Sequence, residues 1–306
     1  MPRTRITVLG SCMLDLVVRV PRLPLPGETL IARGLEMFVG GKGANQAIAA
    51  KRLGAERVTL LGRVGADAFG ERVIAALAED GIDVTHVARD PSVATGTAIP
   101  MVLDDGGNSI ISVPLANMAM TVAQVEAAAD TIRHSDALLL QFEVPMECNI
   151  AAARIAREAS TPVFLNTAPV AWLPDDLLAL TTVLIANEVE AAALAPGSPR
   201  TEQQQALAFA AAGVPVTVVT LGRRGALLAT SAGLTRIPPF PVEAVDTVGA
   251  GDAFCGALAL AMAEGKSREE AARFASAAGA VTATRPGAAS SLPARAEVEQ
   301  LLSIAY

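Results

Sequence analysis

Short apolar runs alternate with longer stretches of helical spacing along most of the chain. Ile6-Thr-Val-Leu-Gly10 reads as a buried strand ending in a glycine turn, and Leu16 to Val20 as a β-branched run closed by the proline-rich stretch 21–27. Ala44 to Leu53 is a predicted helix that stops at Gly54, Val58 to Leu61 a strand, and Phe69 to Ala78 a helix stopped by Asp80-Gly81. Thr97 to Leu103 and Ser109 to Val113 predict two strands joined by Asp104-Asp105-Gly106-Gly107-Asn108, a hairpin-type connection. From about residue 121 the alternation is strict. Helices are predicted over Val122 to Ile132, Asn149 to Ala159 and Thr201 to Ala212. Strands are predicted over Ala137 to Gln141, Pro162 to Asn166, Val183 to Ala186 and Val216 to Thr220.

Apolar strands alternating with helices are covered on both faces. This predicts an α/β fold, a doubly wound and mostly parallel sheet flanked by helices. Ligands on such sheets lie beyond the carboxyl ends of the strands. Gln141, Glu143, Asn166, Asn187 and Gly222 stand at or just past predicted strand ends. The segments near 15–40 and 95–113 break the alternation and predict a small β-sheet lid made in two pieces. There is no internal repeat or low-complexity linker, so residues 1–306 are expected to form one domain carrying that lid.

The chain has 306 residues, 52% of them hydrophobic, enough for a sizeable core. A formal net charge of -7 argues against a general nucleic-acid binder, because phosphate backbones select basic surfaces. Cys12, Cys148 and Cys255 have neither metal nor C-x-x-C spacing, which suits a reducing compartment. The first apolar stretch is broken by Gly10, Asp15 and Arg19, so no signal peptide is expected. No uninterrupted apolar run reaches the ~18 residues of a membrane span. A cytoplasmic protein without membrane partners is therefore expected. His86 and His134, the only histidines, lack a partner at metal spacing.

The candidate chemistry lies in two glycine-rich segments. Asp246-Thr247-Val248-Gly249-Ala250-Gly251-Asp252 precedes an apolar helix predicted over Ala253 to Ala263. Glycines let backbone N–H groups approach an anion closely, and a helix N-terminus adds favourable potential. Gly249, Ala250 and Gly251 thus suit developing charge on a transferring phosphoryl group, with Asp252 placed to take a proton from an attacking hydroxyl. Taken alone, the same residues read more readily as a tight turn with a capping aspartate. Gly249-Ala-Gly251 lacks the third glycine of a dinucleotide fingerprint, since Phe254 stands there, which disfavours an oxidoreductase. The second segment, Gly40-Gly41-Lys42-Gly43-Ala44-Asn45-Gln46-Ala47, opens a helix with polar groups suited to several hydroxyls. It is no P-loop, because Glu36 and Gly43 stand where Gly and Ser or Thr are needed.

Together these segments resemble the two signatures of the ribokinase/phosphofructokinase-B family of sugar kinases, in its ribokinase branch. The resemblance runs nearly end to end. It includes Gly10-Ser11-Cys12-Met13-Leu14-Asp15, Pro26-Gly27-Glu28-Thr29, Gln141-Phe142-Glu143, Asn166-Thr167-Ala168-Pro169, Asn187-Glu188-Val189-Glu190, Thr220-Leu221-Gly222-Arg223-Arg224-Gly225 and Thr284-Arg285-Pro286-Gly287-Ala288. It implies ATP-dependent phosphorylation of a sugar primary hydroxyl, D-ribose to ribose 5-phosphate foremost. Asp15, Gly41, Lys42, Gly43, Asn45, Glu143 and Asp252 would bind the sugar, with Asp252 as base. Asn187, Glu190, Thr220, Gly222, Gly225, Gly251 and Ser276 would lie around ATP, Asn187 and Glu190 positioning Mg²⁺ and the phosphates. Asp246, Val248, Thr282, Arg285, Gly287 and Ser291 would surround a monovalent cation, K⁺, several of them through carbonyls. The family also implies a lid that forms a homodimer.

Met13 stands where many bacterial members carry Asn, and Pro114-Leu115-Ala116-Asn117 where the family usually has Ala-Gly-Ala-Asn, near the expected sugar and lid. Asn166-Thr167 replaces the usual Asn-Pro. Low aromatic content, 3%, favours a free sugar over a nucleoside. The alternatives are a family kinase for deoxyribose, a ketohexose or a nucleoside, and a catalytically silent sugar- or nucleotide-binding regulator. Arg223-Arg224 reads as a phosphate contact or, equally, as a solvated pair.

Overall fold

The computed structural model describes residues 3–103 and 107–304, with only the backbone of Asn108. Residues 104–106 of the predicted hairpin connection lie outside the described residues. Strands β1 (Arg5–Leu9), β2 (Met13–Val20), β3 (Gly34–Gly40), β4 (Arg57–Gly65), β5 (Asp83–Asp90), β6 (Gly96–Leu103) and β7 (Asn108–Val113) occupy the first part of the chain. β8 (Ala137–Leu140), β9 (Val163–Asn166), β10 (Val183–Asn187), β11 (Val216–Thr220), β12 (Ala226–Thr230) and β13 (Gly233–Ile237) follow. One sheet has nine strands in the order β13-β12-β11-β10-β9-β8-β1-β4-β5, and the other has four in the order β3-β2-β6-β7.

The large sheet is parallel from β5 to β11, and the hairpin β12–β13 adds two antiparallel strands. β8 and β9 are buried at every residue, which is why their sequences are continuous apolar runs rather than alternating ones. The chain winds one way from β1 through β4 to β5, then returns to the other side of β1 at β8. That reversal opens a crevice beyond β1 and β8, where doubly wound sheets take their ligands. In the small sheet, Asp15 pairs with Phe38 on one side and Ala98 on the other.

Three features depart from the pattern read above. The stretch predicted as one helix over 122–132 is two, Val122–Ala127 and Ala129–Arg133. They part at Ala128, whose N–H bonds the Val125 carbonyl three residues back. β5 carries Asp83, His86, Arg89 and Asp90, so its polarity hid a strand that pairs on one side only. The Pro114–Asn117 segment does not line the cavity between the two sheets. Asn117 is buried, accepting from the Cys12 N–H at 2.9 Å and donating to the Cys12 and Pro114 carbonyls. It ties the end of β7 to the start of β2. Leu115, in the family's glycine position, has a left-handed backbone with φ 44.

Candidate active site

The crevice holds a cavity of about 430 Å³ between the two sheets. Two helices aim their first turns at it. The Lys42–Arg52 helix starts at Gly41, and the Ala250–Ala263 helix starts at Gly249 with a left-handed backbone, φ 78. The helices can lie this close because residue 256 is glycine. A Cβ there would sit 2.7 Å from the Gln46 carbonyl oxygen.

Asp252 falls in the first turn of its helix and is buried, 7% exposed. Asn45 Nδ2 donates to Asp252 Oδ2 at 2.9 Å, and Gln46 Nε2 donates to Oδ1 at 3.2 Å. Asn45 Oδ1, also buried, has no partner among the described residues and is free for a ligand hydroxyl. Of the amides in the glycine turn, that of Ala250 is taken by the Thr247 carbonyl at 3.2 Å. The N–H groups of Gly249, Gly251 and Asp252 have no acceptor among the described residues, which leaves them available to an anion. Glu143 accepts from the Lys42 N–H at 2.9 Å and from the Ser11 hydroxyl, which locks the loop after β8 to the first helix.

At the other end, Asn187 caps the helix Glu188–Leu194 through a capping box with Glu190. The Glu190 carboxylate accepts from the Asn187 N–H at 2.9 Å, from Asn187 Nδ2 at 2.7 Å and from the Thr167 hydroxyl at 3.2 Å.

Burial pushes the Asp252 carboxyl above its ordinary range; the Lys42 charge and the Asn45 and Gln46 bonds oppose the rise. Burial disfavours the Lys42 ammonium, but the charges of Asp252, Glu143 and Glu190 outweigh it and hold its pKa up. Asp15 is pushed up to about 7, first by burial, then by the Glu143 and Asp252 charges. The arrangement combines a carboxylate able to take a proton, a lysine cation and free amides at a helix N-terminus. This is the equipment for activating a hydroxyl and stabilising a transferring phosphoryl group.

The model of the pfkB family carbohydrate kinases matches residues 3–295. The chain belongs to this family. The kinase is 39% identical over 303 residues to the ribokinase of Haemophilus influenzae, covering 98% of this chain and 99% of that one. It is 39% identical to the ribokinase of Bacillus subtilis over 97% of this chain and 99% of the relative. Its structure matches that of Arabidopsis thaliana ribokinase complexed with ribose and ATP, with a TM-score of 0.91 at 35% identity, covering 98% of both chains.

The cavity of the kinase brings together Asp15, Gly41, Lys42, Asn45, Glu143, Asn187, Glu190, Thr220, Val248, Gly249, Gly251 and Asp252. Gly43 does not line it and packs on the Gly10 and Ser11 backbone instead. Gly222, Gly225 and Ser276 also lie outside its lining. Gly222 and Gly225 flank a turn just past Thr220, and Ser276 is within the helix Arg268–Ala283. Asp246 gathers the last group of residues. It accepts from the Val248 N–H at 3.0 Å and from the Gly287 N–H at 2.9 Å, while Ser291 bonds the Ala288 carbonyl at 2.8 Å and Thr282 accepts from the Arg285 N–H. The Arg285 side chain turns away to Glu297, and Arg224 is held by Glu188 and Glu202. Sequence reasoning assigned no role to Ser11, Gln46, Thr167 or Cys255, although Cys255 lines the cavity one turn beyond Asp252.

The raised pKa of Asp15 has a definite sign. The folded protein keeps this proton where the unfolded chain, near 3.8, has lost it. Asp15 therefore favours folding at low pH, and that contribution is lost as pH rises through about 7. Asp15→Asn should gain melting temperature relative to the parent between pH 5 and pH 8. A difference independent of pH, measured by calorimetry without ligand, would contradict this.

Proposed function

We propose that this chain transfers the γ-phosphoryl group of ATP to the primary hydroxyl of D-ribose, with Asp252 as the base. The observation that carries the reading is the Asp252 carboxylate, buried and hydrogen-bonded to Asn45 and Gln46 beside free helix-terminal amides. The relatives named ribokinase support ribose as the sugar. Asp15, Gly41, Lys42, Asn45 and Glu143 bind the sugar hydroxyls, with Gly43 packing behind them. Thr220, Asn187 and the turn Gly222–Gly225 hold the nucleotide, with Ser276 further back. As the hydroxyl oxygen bonds to phosphorus, its proton passes to Asp252. The amides of Gly249, Gly251 and Asp252 receive the charge on the phosphoryl oxygens, and Lys42 balances the cavity's carboxylates. Closure of the small sheet as a lid excludes water.

Mg²⁺ fits the donor set, since this ion binds through few carboxylates, substrate phosphates and waters. Glu190 and Asn187 would help hold it, and it would supply further neutralisation of phosphate charge. A monovalent cation fits beside Asp246, a partly buried carboxylate with no basic partner among the described residues. The carbonyls of Val248, Thr282, Arg285 and Gly287, with Ser291, would complete that site.

Homodimerisation through the lid is supported by Leu35, Ile111 and Val113. They lie exposed on the sheet face opposite Asp15 and Ser112.

Asp252→Asn should lower kcat by about 10²–10⁴-fold, with ribose KM changed far less. Near-normal turnover would overturn the base, and a coupled ADP assay preferring deoxyribose, a ketohexose or a nucleoside would overturn ribose. Potassium should accelerate turnover over tetramethylammonium; equal rates would remove the cation site. Light scattering should give a mass of two chains, and of one for Ile111→Lys; a monomeric parent would reject the dimer.

A further inference from the structure

The Asp252 carboxylate is held by two neighbouring residues of one helix, yet only Asn45 lines the cavity. Gln46 lies fully buried behind it. Its Nε2 donates to Asp252 Oδ1 and to Asn166 Oδ1, each at 3.2 Å. Its Oε1 accepts from Gln141 Nε2 at 2.7 Å. An amide can face either way, and here only one way is satisfied. Flipped, Gln46 would set its oxygen against the carboxylate and its NH₂ against the NH₂ of Gln141.

The main chain of Gln141 is itself fixed, while its side chain bonds only Gln46, its buried Oε1 having no partner among the described residues. The residue is fully buried at the end of β8, and Asn149 Nδ2 donates to its main-chain carbonyl at 2.8 Å. Its side-chain oxygen fills the space beside Gly10, where any Cβ would collide with it. The end of β1, the end of β8 and the first helix thus meet in one buried chain of amides that terminates on Asp252.

We propose that Gln141 and Gln46 form a positioning relay for the base, in which Gln141 sets the facing of the Gln46 amide and Gln46 holds Oδ1 of Asp252. This rests on the reading of Asp252 as the base. The relay touches neither sugar nor nucleotide. It acts by presenting an N–H that bonds the ionised carboxylate more strongly than the protonated acid, and so opposes the effect of burial. When the hydroxyl proton moves to Asp252, one O–H bond breaks and another forms, and the relay sets the pH at which the acceptor is ready.

The test is the pH profile of kcat and kcat/KM for Gln46→Met, Gln46→Glu and Gln141→Met, beside the parent and Asp252→Asn. Gln46→Met should move the acidic limb up by about one pH unit and lower kcat at pH 7 about tenfold, with ribose KM nearly unchanged. Gln46→Glu should move the limb further, because two carboxylates so close share a proton. Gln141→Met should shift it in the same direction, and the Gln46→Met/Gln141→Met pair should be no worse than Gln46→Met alone. If Gln46→Met does not fold, Gln46→Glu and Gln141→Met carry the same reading. An unmoved limb with loss confined to melting temperature would overturn the relay while leaving Asp252 as base. Full turnover by Asp252→Asn would instead overturn the base itself.

Discussion

The site depends on one buried contact, the Asp252 carboxylate shared between the side-chain amides of Asn45 and Gln46. These residues are separated by 207 and 206 positions in the chain. Their meeting requires the first helix and the helix after the glycine turn to converge on the crevice where the sheet reverses its winding. Gly256 allows the approach, and the Gly249 cap turns the free amides toward the same space. Asp252, Asn45 and Gln46 are thereby fixed relative to one another in this carbohydrate kinase.

A carboxylate buried without partners would simply keep its proton. Here burial raises the Asp252 pKa, while Lys42 and two amide donors resist the rise. These opposing influences meet in a space that also holds Asp15, Glu143 and Glu190. Asp15 has no such support. One of its oxygens has no partner among the described residues, and its carboxyl is pushed up to about 7.

The doubly wound sheet was legible because β8, β9 and β10 are covered on both faces and read as continuous apolar runs. β5 was not, because a polar strand paired on one side has no such signature. The break at Ala128 comes from one local backbone bond that no side chain announces. Asp252, Lys42 and Asn45 could be picked out because charged and polar residues follow glycines at helix starts. Gln46 could not be given a role, since a glutamine buried behind a site looks like one on a solvated helix face, and Gln141 was legible only as a polar residue at a strand end. Pro114–Asn117 was legible as a departure, and its Asn117 joins the end of β7 to the start of β2.

The central claim is that Asp252 faces the hydroxyl that attacks phosphorus. A crystal structure with ribose and a non-hydrolysable ATP analogue tests it most directly. The account predicts the primary hydroxyl oxygen about 3 Å from an Asp252 carboxylate oxygen, on the side facing the γ-phosphorus. A ribose bound with that hydroxyl turned away from Asp252, or held by a different carboxylate, would contradict it.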